Sequence, residues 1–412
     1  MLKKADLLRI VRATVFVILG LWSSAAFSIE RYQAVIDAGS SGSRMYLYKL
    51  SMHQDRLHVE TLLAFRSSNT KGLSAYSSVP EQAGSKEIAP LIRKLETTLA
   101  SRHIDKNHVP ISVLATAGMR LLPEAESKLI FHNVRREIRD QGFHVESARI
   151  ISGQEEGIFA WIDLNYSRDR LKPGQQTLGI IEIGGASSQV AFASSDHNTE
   201  NSLRITINGQ HYQIVSISYL GLGHNEARRS MMGLLGTQHS GPNPCYPNSQ
   251  QPDVTYDLGR VKGQMSQFNT SCFDWYARVI ADVGRRSNNQ PVPQQLREIP
   301  GFSSTPFIVL ASIKHVFEQW AIKNQTIPEV AMRKAILDHC SGADAWESLK
   351  GLKGSRSLIQ NACANATYLN ALLFSSAGLG LSNQQFETIE QLQKDGLTWT
   401  RGFVLFRAAN KD

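Results

Sequence analysis

One short pattern occurs twice in this 412-residue chain and limits its possible folds more than any other feature. Residues 35–44 (VIDAGSSGSR) end a strand-like apolar run with Asp37, turn through glycines and serines, and lead into a second strand. Residues 180–192 (IIEIGGASSQVAF) repeat this order, with Glu182 in place of the aspartate. The repetition predicts a duplicated fold in which two similar loops grip one ligand from both sides.

The chemistry of the two loops favours a polyphosphate as that ligand. Glycines let the backbone approach a ligand closely, and consecutive N–H groups in such a turn form an anion-binding concavity. Serine hydroxyls add donors for phosphate oxygens, and a carboxylate at a strand end can hold a metal ion through water. One Gly/Ser turn by itself would more simply be an ordinary hairpin, so the second copy carries the interpretation.

The remaining sequence alternates strand and helix patterns, which predicts a layered α/β fold. The length exceeds what one core usually organises, so two domains are expected. Strands are predicted over residues 58–65, 110–115, 144–151 and 307–310, with two more between 205 and 219, and helices over 82–101 and 124–140. Two polar, proline-containing stretches, residues 238–257 and 285–306, are predicted to be loops.

With two further segments, the loops resemble the four ordered motifs of the apyrase family, the ecto-nucleoside triphosphate diphosphohydrolases of the actin-like superfamily. Residues 115–120 (ATAGMR) follow a predicted strand, and residues 151–157 (ISGQEEG) open a predicted helix. The clear resemblance runs from Ala34 to Arg229. It implies an α/β fold of two actin-like (ribonuclease H-like) domains with an active-site cleft between them.

The resemblance also implies roles for single residues. Glu156 would be the base that activates water, and Glu155 a helix-start residue or a secondary ligand. The residues expected to act in catalysis are Glu156, Ser187, Gln189 and Thr116. Those expected to bind the substrate phosphates are Gly39, Ser40, Ser41, Gly42, Ser43, Arg44, Arg120, Gly184, Gly185, Ala186 and Ser187.

Each of these assignments has a structural alternative. Acidic residues in a first helical turn complement the helix dipole, so either glutamate of residues 154–156 could serve only that purpose. Thr116 could be an ordinary β-branched strand residue, and Arg120 could pair with a surface carboxylate. Ser187 and Gln189 could be exposed polar residues of a hairpin.

A divalent cation, Mg²⁺ or Ca²⁺, is the implied cofactor. Asp37 and Glu182 end two strands that should face each other across the cleft, and we expect them to hold the ion through water. The family's second loop normally opens with aspartate. Glu182 is therefore a departure with a longer side chain, and it leaves the metal preference open.

Towards the C-terminus the resemblance is weaker. Tyr368, on a helix predicted over residues 364–376, could stack on the nucleobase or could be a core tyrosine. Arg401 stands where the family's closing tryptophan motif has an apolar residue, so that motif supports no inference about a base pocket. His224, at the entry to a helix, is expected to be structural.

The four cysteines are Cys245, Cys272, Cys340 and Cys363, and none forms a C-x-x-C pair, which argues against a zinc cluster. In an exported chain an even count suggests two disulfides, with three possible connectivities. The sequential pairing, Cys245–Cys272 with Cys340–Cys363, closes the shortest non-overlapping loops and agrees with the family resemblance.

The first 28 residues have the three-part plan of a secretory signal, with basic residues, the apolar run Val15–Trp22 and small residues up to Ser28. The apolar run is short for a membrane span, which favours cleavage near Ser28 over an uncleaved anchor. We therefore expect a secreted or periplasmic protein with no stable membrane span. Removing residues 1–28 takes away four basic residues and one acidic residue, so the formal net charge falls from +8 to +5. No basic run with interleaved aromatic residues suggests nucleic-acid binding, and nothing implies a protein partner.

The predicted domain I contains residues 29–153, with the first loop, and returns with about residues 392–412. Domain II would contain residues 154–391, with the second loop and both disulfides.

The predicted activity is the divalent-metal-dependent hydrolysis of nucleoside tri- and diphosphates to nucleoside monophosphate and phosphate, by direct attack of a water activated by Glu156. The nearest alternative is an exopolyphosphatase or guanosine pentaphosphate phosphatase of the same superfamily. Such an enzyme would be expected to have asparagine, glycine and glutamate where this chain has Ser41, Ala186 and Gln189. A non-hydrolytic actin-like nucleotide-binding protein is less favoured, because it would not need Glu156.

Overall fold

The computed structural model of the protein describes residues 30–53, 56–67, 71–195, 201–248, 266–288, 292–311, 319–320, 329–353, 356–381, 386–388 and 397–410. The predicted signal segment, residues 1–28, lies outside these ranges. Within them, no helix combines the length and the apolar character that a membrane crossing requires.

The first half of the fold is a five-stranded mixed sheet. Its strands are β1 (Arg31–Gly39), β2 (Gly42–His53), β3 (Arg56–Arg66), β4 (Ile111–Ala115) and β5 (Val145–Ile150), in the spatial order β3-β2-β1-β4-β5. β2 is antiparallel to β1 and β3, whereas β4 is parallel to β1 and β5. The centre of β1, residues 34–36, is fully buried, as expected for a strand that is covered on both faces.

The second half repeats this topology. Its strands are β6 (Gly179–Ile183), β7 (Ser187–Ala193), β8 (Ser202–Ile207), β9 (Gln210–Leu220), β10 (Phe307–Ala311) and β11 (Phe386–Thr388), in the order β11-β10-β6-β7-β9-β8. β6, β7, β9, β10 and β11 match β1 to β5 in spatial order and in direction. β8 extends the edge as an additional strand. The predicted duplication is therefore present.

Helices cover the first sheet and connect it to the second. They are α1 (Ala89–Ser101), the short α2 (Ala117–Arg120), α3 (Glu124–Asp140) and α4 (Gly153–Ser167). α1 buries Leu91, Ile92, Leu95 and Leu99, which recur at helical spacing and pack towards β2 and β3. The helix predicted over residues 82–101 begins with a π-helical stretch, Ala83–Ile88, and is α-helical only from Ala89.

The second half carries a thicker helical layer. Its helices are α5 (His224–Gln238), α6 (Ser271–Asn288), α7 (Val292–Arg297), α8 (Glu329–Cys340), α9 (Ala345–Lys350), α10 (Arg356–Gln360) and α11 (Ala362–Phe374). α11 is buried along its whole length and packs against α5, α6 and α8. The disulfides Cys245–Cys272 and Cys340–Cys363 are both present and tie this layer together, as predicted.

A shared core between the two sheets is formed by α4 and α12 (Trp399–Ala409). Gly402 of α12 lies against the backbone carbonyl of Phe159 in α4, so closely that no larger residue would fit. Asp163 and Arg401 form an ion pair inside this crossing. Both sheets contribute buried residues to this core, among them Val35, Leu114, Ile180, Ala191 and Ile308.

The prediction of a loop over residues 285–306 is the clearest error in the predicted secondary structure. These residues contain the end of α6, the short helix α7 and a 3₁₀ turn at Phe302–Ser304. Pro293 suggested a loop, but proline is tolerated in the first turn of a helix, which is where α7 places it. The sequence also predicts a helix that leads from the strand at residues 307–310 to Trp320, and most of it lies outside the described residues.

Candidate active site

The first candidate phosphate loop is the turn between β1 and β2. Gly39 and Gly42 form the last cross-strand pair, so Ser40 and Ser41 alone project beyond the ladder. The Arg66 side chain donates a hydrogen bond to the Ser41 carbonyl at 2.7 Å and so fixes the turn from β3. This arrangement presents two hydroxyls and the adjacent N–H groups at the edge of the sheet.

The second candidate phosphate loop, residues 184–186, connects β6 to β7 and meets the first. A Cβ atom on Gly185 would lie 2.5 Å from the hydroxyl oxygen of Ser40, so glycine is needed at this position while the serine keeps its place. The structure therefore brings the two sequence-predicted loops into contact at Ser40 and Gly185.

The first turn of α5 supports the second loop from behind. The N–H of His224 donates to the Gly184 carbonyl, and the N–H of Asn225 donates to the Gly185 carbonyl, both at 2.9 Å. His224 is mostly buried, and this burial, with a smaller contribution from the charge of Arg228, lowers its pKa to about 4. A neutral imidazole in this position agrees with the structural role expected for His224.

A capping box at the start of α4 separates the roles of the two adjacent glutamates. The Ser152 hydroxyl accepts from the Glu155 N–H at 3.0 Å, and the Glu155 carboxylate accepts from the Ser152 N–H at 2.8 Å. Glu155 also pairs with Arg149 at 2.7 Å. Glu156 is only 7% exposed and lies on the side of the two loops. The helix start therefore uses Glu155 and leaves Glu156 available to the site.

Glu156 is held by Arg120 and Gln189. Arg120 forms an ion pair with its carboxylate, and the Gln189 amide nitrogen lies 3.3 Å from the same oxygen. Burial raises the pKa of Glu156 to about 7; Arg120 opposes this increase, and the charge of Asp37 adds to it. A carboxyl group with a pKa near neutrality is suited to general-base catalysis near pH 7. Arg120, expected to bind phosphate, is in contact with the predicted base.

Gln189 also contacts two serines. Its amide nitrogen lies 2.6 Å from the Ser187 hydroxyl and 3.1 Å from the Ser218 hydroxyl. Ser218, on β9, was not anticipated from the sequence. The sequence nevertheless indicates a polar face on this strand, because Ser216 and Ser218 alternate with apolar residues and so lie on the same side of it.

The carboxylates at the ends of the central strands differ in their partners. Asp37 pairs across the strand with Arg44, at 3.1 Å. Glu182 has the equivalent position opposite Gln189, and its Oε2 atom is buried with no hydrogen-bond partner among the described residues. Burial, followed by the charges of Glu156 and Asp37, raises the pKa of Glu182 well above its ordinary value. Burial also raises the pKa of Asp37.

These carboxylates fit the hard oxygen ligands that Mg²⁺ and Ca²⁺ prefer. Asp37 and Glu182 line one cavity of about 230 Å³ together with Arg44, Thr398 and Trp399. A cation would compensate the mutual repulsion of the carboxylates and engage the unpartnered oxygen of Glu182. Within the described ranges, no three His, Cys, Asp or Glu side chains are grouped closely enough to hold a metal. The donor set therefore suits an ion bound partly through water.

Thr116 and Ser43 lie beneath the first loop. Thr116 follows β4, is buried, and donates its N–H to the Ala38 carbonyl at 3.3 Å. Ser43 alternates to the opposite face of β2 from Arg44, and its buried hydroxyl has no partner in the described part of the chain. Among the described residues, the Ser43 hydroxyl therefore makes no hydrogen bond to the first loop.

Tyr368 lies away from the loops, in the core of the second half. It is fully buried in α11, its hydroxyl donates to the Leu222 carbonyl, and its ring packs against Tyr276 with centroids 5.4 Å apart. A base cannot stack on a ring with no exposed face. The structure therefore favours the core alternative for Tyr368 over a contact with the nucleobase.

The chain is similar in sequence to known proteins. A family model described as the GDA1/CD39 (nucleoside phosphatase) family matches residues 25–411. A nucleoside-triphosphatase of Pisum sativum is 33% identical over 232 residues, which are 53% of this chain and 50% of the pea protein. Ectonucleoside triphosphate diphosphohydrolase 2 of Homo sapiens is 26% identical over 424 residues, covering 91% of this chain and 82% of the human protein. The chain thus spans about half the length of the pea protein and most of that of the human one.

Solved structures with a similar fold are also found. A nucleoside triphosphate hydrolase structure from Neospora caninum superposes with a TM-score of 0.62 at 15% identity, covering 98% of this chain and 96% of the other. A Ppx/GppA family member from Aquifex aeolicus superposes with a TM-score of 0.50 at 11% identity, covering 93% and 100%. At these identities the likeness concerns the fold alone, and it confirms the predicted actin-like α/β class.

The family match extends over nearly the whole sequence, and it includes all four motifs that carried the resemblance. The chain belongs to the GDA1/CD39 (nucleoside phosphatase) family.

Proposed function

We propose that this protein hydrolyses the terminal phosphates of nucleoside tri- and diphosphates to nucleoside monophosphate and phosphate, with a divalent cation. The observation that carries the proposal is the contact of the two loops at Ser40 and Gly185, beside the buried Glu156 and Gln189. Phosphoryl transfer to water requires a fixed phosphate chain, an oriented water and a group that takes its proton. The names of the pea and human relatives support the same class of substrate.

The loops supply the donors for the phosphate chain. Ser40 and Ser41 project from the first loop, and the second offers the N–H groups of Gly185 and Ala186, whereas that of Gly184 donates to the Ser187 carbonyl at 3.0 Å. Because the loops meet, a phosphate chain bound between them would receive donors from both sheets. Such fixed donors cost no reorganisation as charge moves during the reaction.

Glu156 takes the proton of the attacking water. Gln189 and Ser187 lie beside it and orient that water, since an amide and a hydroxyl can each accept or donate a hydrogen bond. The Ser187 hydroxyl is bonded to Gln189 rather than to a histidine, which favours direct water attack over a phospho-enzyme. Arg120 keeps the Glu156 carboxylate in place and favours its ionised form.

Asp37 and Glu182 are the residues that would hold Mg²⁺ or Ca²⁺, largely through water. When bound, the cation would neutralise charge on the phosphate oxygens. Glu182 fits this role because its buried oxygen lacks any other partner in the described structure.

Two further proposals concern the organisation and location of the chain. The division into residues 29–153 with about 392–412, and residues 154–391, is supported by the two matching sheets and by the packing of α12 against α4 between them. A secreted or periplasmic location is supported by the two disulfides, which persist in oxidising compartments.

The test is an assay of phosphate release from ATP, ADP, GTP, GDP and inorganic polyphosphate, each with magnesium, calcium or EDTA. We expect release from the nucleotides with either metal and loss of activity in EDTA. Release from polyphosphate alone would support the exopolyphosphatase alternative. Full nucleotide turnover in EDTA would exclude the metal-dependent scheme.

A further inference from the structure

Arg228, on α5, is a fully buried arginine without an acidic partner. It is 1% exposed, and no carboxylate among the described residues lies within ion-pair distance of it. Its neighbour Arg229 is exposed and pairs with Glu226 in the ordinary way. Burying a charge without a counter-charge is costly, so a buried guanidinium with no anion beside it needs an explanation.

Two neutral amides are the acceptors that the guanidinium contacts. One nitrogen donates to Asn365 at 2.7 Å, and another donates to Asn225 at 3.0 Å, whereas Nε has no partner within the described residues. The hydroxyl of Tyr276 lies nearby and is also unpartnered there. The positive charge is therefore not compensated by the groups that surround it.

The contact with Asn225 connects this charge to the phosphate loops. Because the amide oxygen of Asn225 accepts from Arg228, its NH₂ group faces the other way. That nitrogen lies 3.1 Å from the point where a Cβ on Gly185 would stand, and the Ser40 hydroxyl lies 2.5 Å from the same point. The Asn225 amide thus lies where the two loops meet.

The backbone of α5 cannot take over this role. The N–H groups of His224 and Asn225 already donate to the carbonyls of the second loop, and that of Glu226 lies 3.2 Å from the Gly185 carbonyl. The free donor that α5 directs to the junction is therefore the side chain of Asn225, in the orientation that Arg228 imposes.

We propose that Arg228 is a positioning residue that orients the Asn225 amide towards the junction of the loops. The bound phosphate chain then supplies the negative charge that compensates the buried guanidinium. This inference rests on the proposed function, since it needs a phosphate-bearing ligand between Ser40 and Gly185. It adds to that function a source of affinity that lies behind the loops rather than in them.

The test compares Arg228→Met with Arg229→Met, its exposed neighbour, and with Asn225→Ala. Three quantities are measured with the purified full-length protein: the thermal midpoint without ligand, the rise in midpoint with magnesium and either pyrophosphate or β,γ-methylene ATP, and the KM and kcat for ATP. Arg228→Lys keeps the charge but loses the planar guanidinium that donates to both Asn365 and Asn225. It replaces the methionine variant in the comparison if that variant does not fold.

We expect Arg228→Met to keep or raise the midpoint of the ligand-free protein, because it removes an uncompensated buried charge. The ligand-induced rise should shrink, and KM should increase by about 10- to 100-fold with a smaller change in kcat, as expected for a lost hydrogen bond to a charged group. Asn225→Ala should behave similarly, and the double variant should be no worse than either single one. Arg229→Met should match the wild type.

A purely structural role predicts the opposite pattern. In that case Arg228→Met would lower the ligand-free midpoint and leave the ligand-induced rise and KM unchanged, and the inference would fail while the proposed function stood. If only Arg228→Lys folds, an unchanged KM in that variant overturns the inference. If the wild type itself neither gains stability from these ligands nor hydrolyses ATP, the proposed function fails, and this inference fails with it.

Discussion

The two halves of the molecule place a carboxylate at the same strand position but give it different partners. Asp37 faces Arg44 across the β1–β2 pair, and Glu182 faces Gln189 across the β6–β7 pair. The first carboxylate is therefore compensated within its own sheet. The second carboxylate is not compensated in this way, because the Gln189 amide turns to Glu156. The Oε2 atom of Glu182 therefore has no partner among the described residues. The first half thus compensates its strand-end carboxylate internally, whereas the second leaves its own without a partner in the described structure.

The substitution with the largest expected effect removes the proposed base, Glu156, at the junction of the halves. Glu156→Gln keeps the size and hydrogen bonding of the side chain but cannot take a proton, so turnover should fall by about 10²–10⁴-fold while nucleotide binding persists. Steady-state kinetics and a binding measurement check this expectation.

Glu155→Gln is the matched control, because Glu155 serves the capping box and Arg149 instead of the site. It should cost clearly less. A dead Glu155→Gln with an active Glu156→Gln would show that the base is the other glutamate.

The next effect tests the contact between the loops. Gly185→Ala places a methyl group against the Ser40 hydroxyl. Overpacking of this kind costs about 1–3 kcal/mol, which corresponds to roughly 5- to 150-fold in kcat/KM if it is expressed in the transition state. The double variant Ser40→Gly/Gly185→Ala should recover part of the loss, because it removes the clashing oxygen. Gly233→Ala, where a Cβ meets no atom within 4 Å, is the control. A fully active Gly185→Ala would contradict the contact.

The expected pH dependence follows from the burial of Glu156, the proposed base. Glu156 must be ionised to accept a proton and its pKa is raised to about 7, so kcat/KM should rise with pH through an inflection near 7 and be about tenfold below its plateau at pH 6. Arg120 lowers this pKa, so Arg120→Gln should move the inflection to higher pH. A profile without an inflection between pH 5 and 9 would mean that another group limits the rate.

The smallest expected effect on turnover concerns the disulfides, which lie only in the second half. They close loops with sequence separations of 27 and 23 residues, worth about 3–4 kcal/mol each on the chain-entropy estimate. Reduction should therefore leave turnover at ambient temperature nearly unchanged. Hydrogen exchange should accelerate in α6, α8 and α11 but not in β1 to β5. Equal acceleration of hydrogen exchange in both halves would show that the disulfides do not stabilise the second half selectively.

Sequence patterns predicted the parts of the site that are local. The loops at residues 37–44 and 182–189 have the same spacing between carboxylate and cross-strand partner, so their equivalence could be inferred without a structure. The assignment of Glu156 over Glu155 came from the family resemblance and stays a prediction; the capping box, which engages Glu155, supports it.

The parts that could not be predicted depend on contacts between distant segments. Ser218 reaches Gln189 only because β9 pairs with β7, and Arg228 is buried only because α11 covers α5. Tyr368 shows the converse problem. An apolar helix gives no indication in its sequence of whether a tyrosine on it faces a cleft or a neighbouring helix such as α6.

The position of α12 has a consequence for biosynthesis. This helix fills the space between the sheets, packing on α4 through Gly402 and on residues of both halves, yet the ribosome makes it after both sheets. At about 5–20 residues per second, the strands of the first sheet wait tens of seconds for the helix that completes their shared core. A nascent chain stalled before residue 399 should therefore bind chaperones and be cleaved readily by protease, and synthesis of α12 should end both.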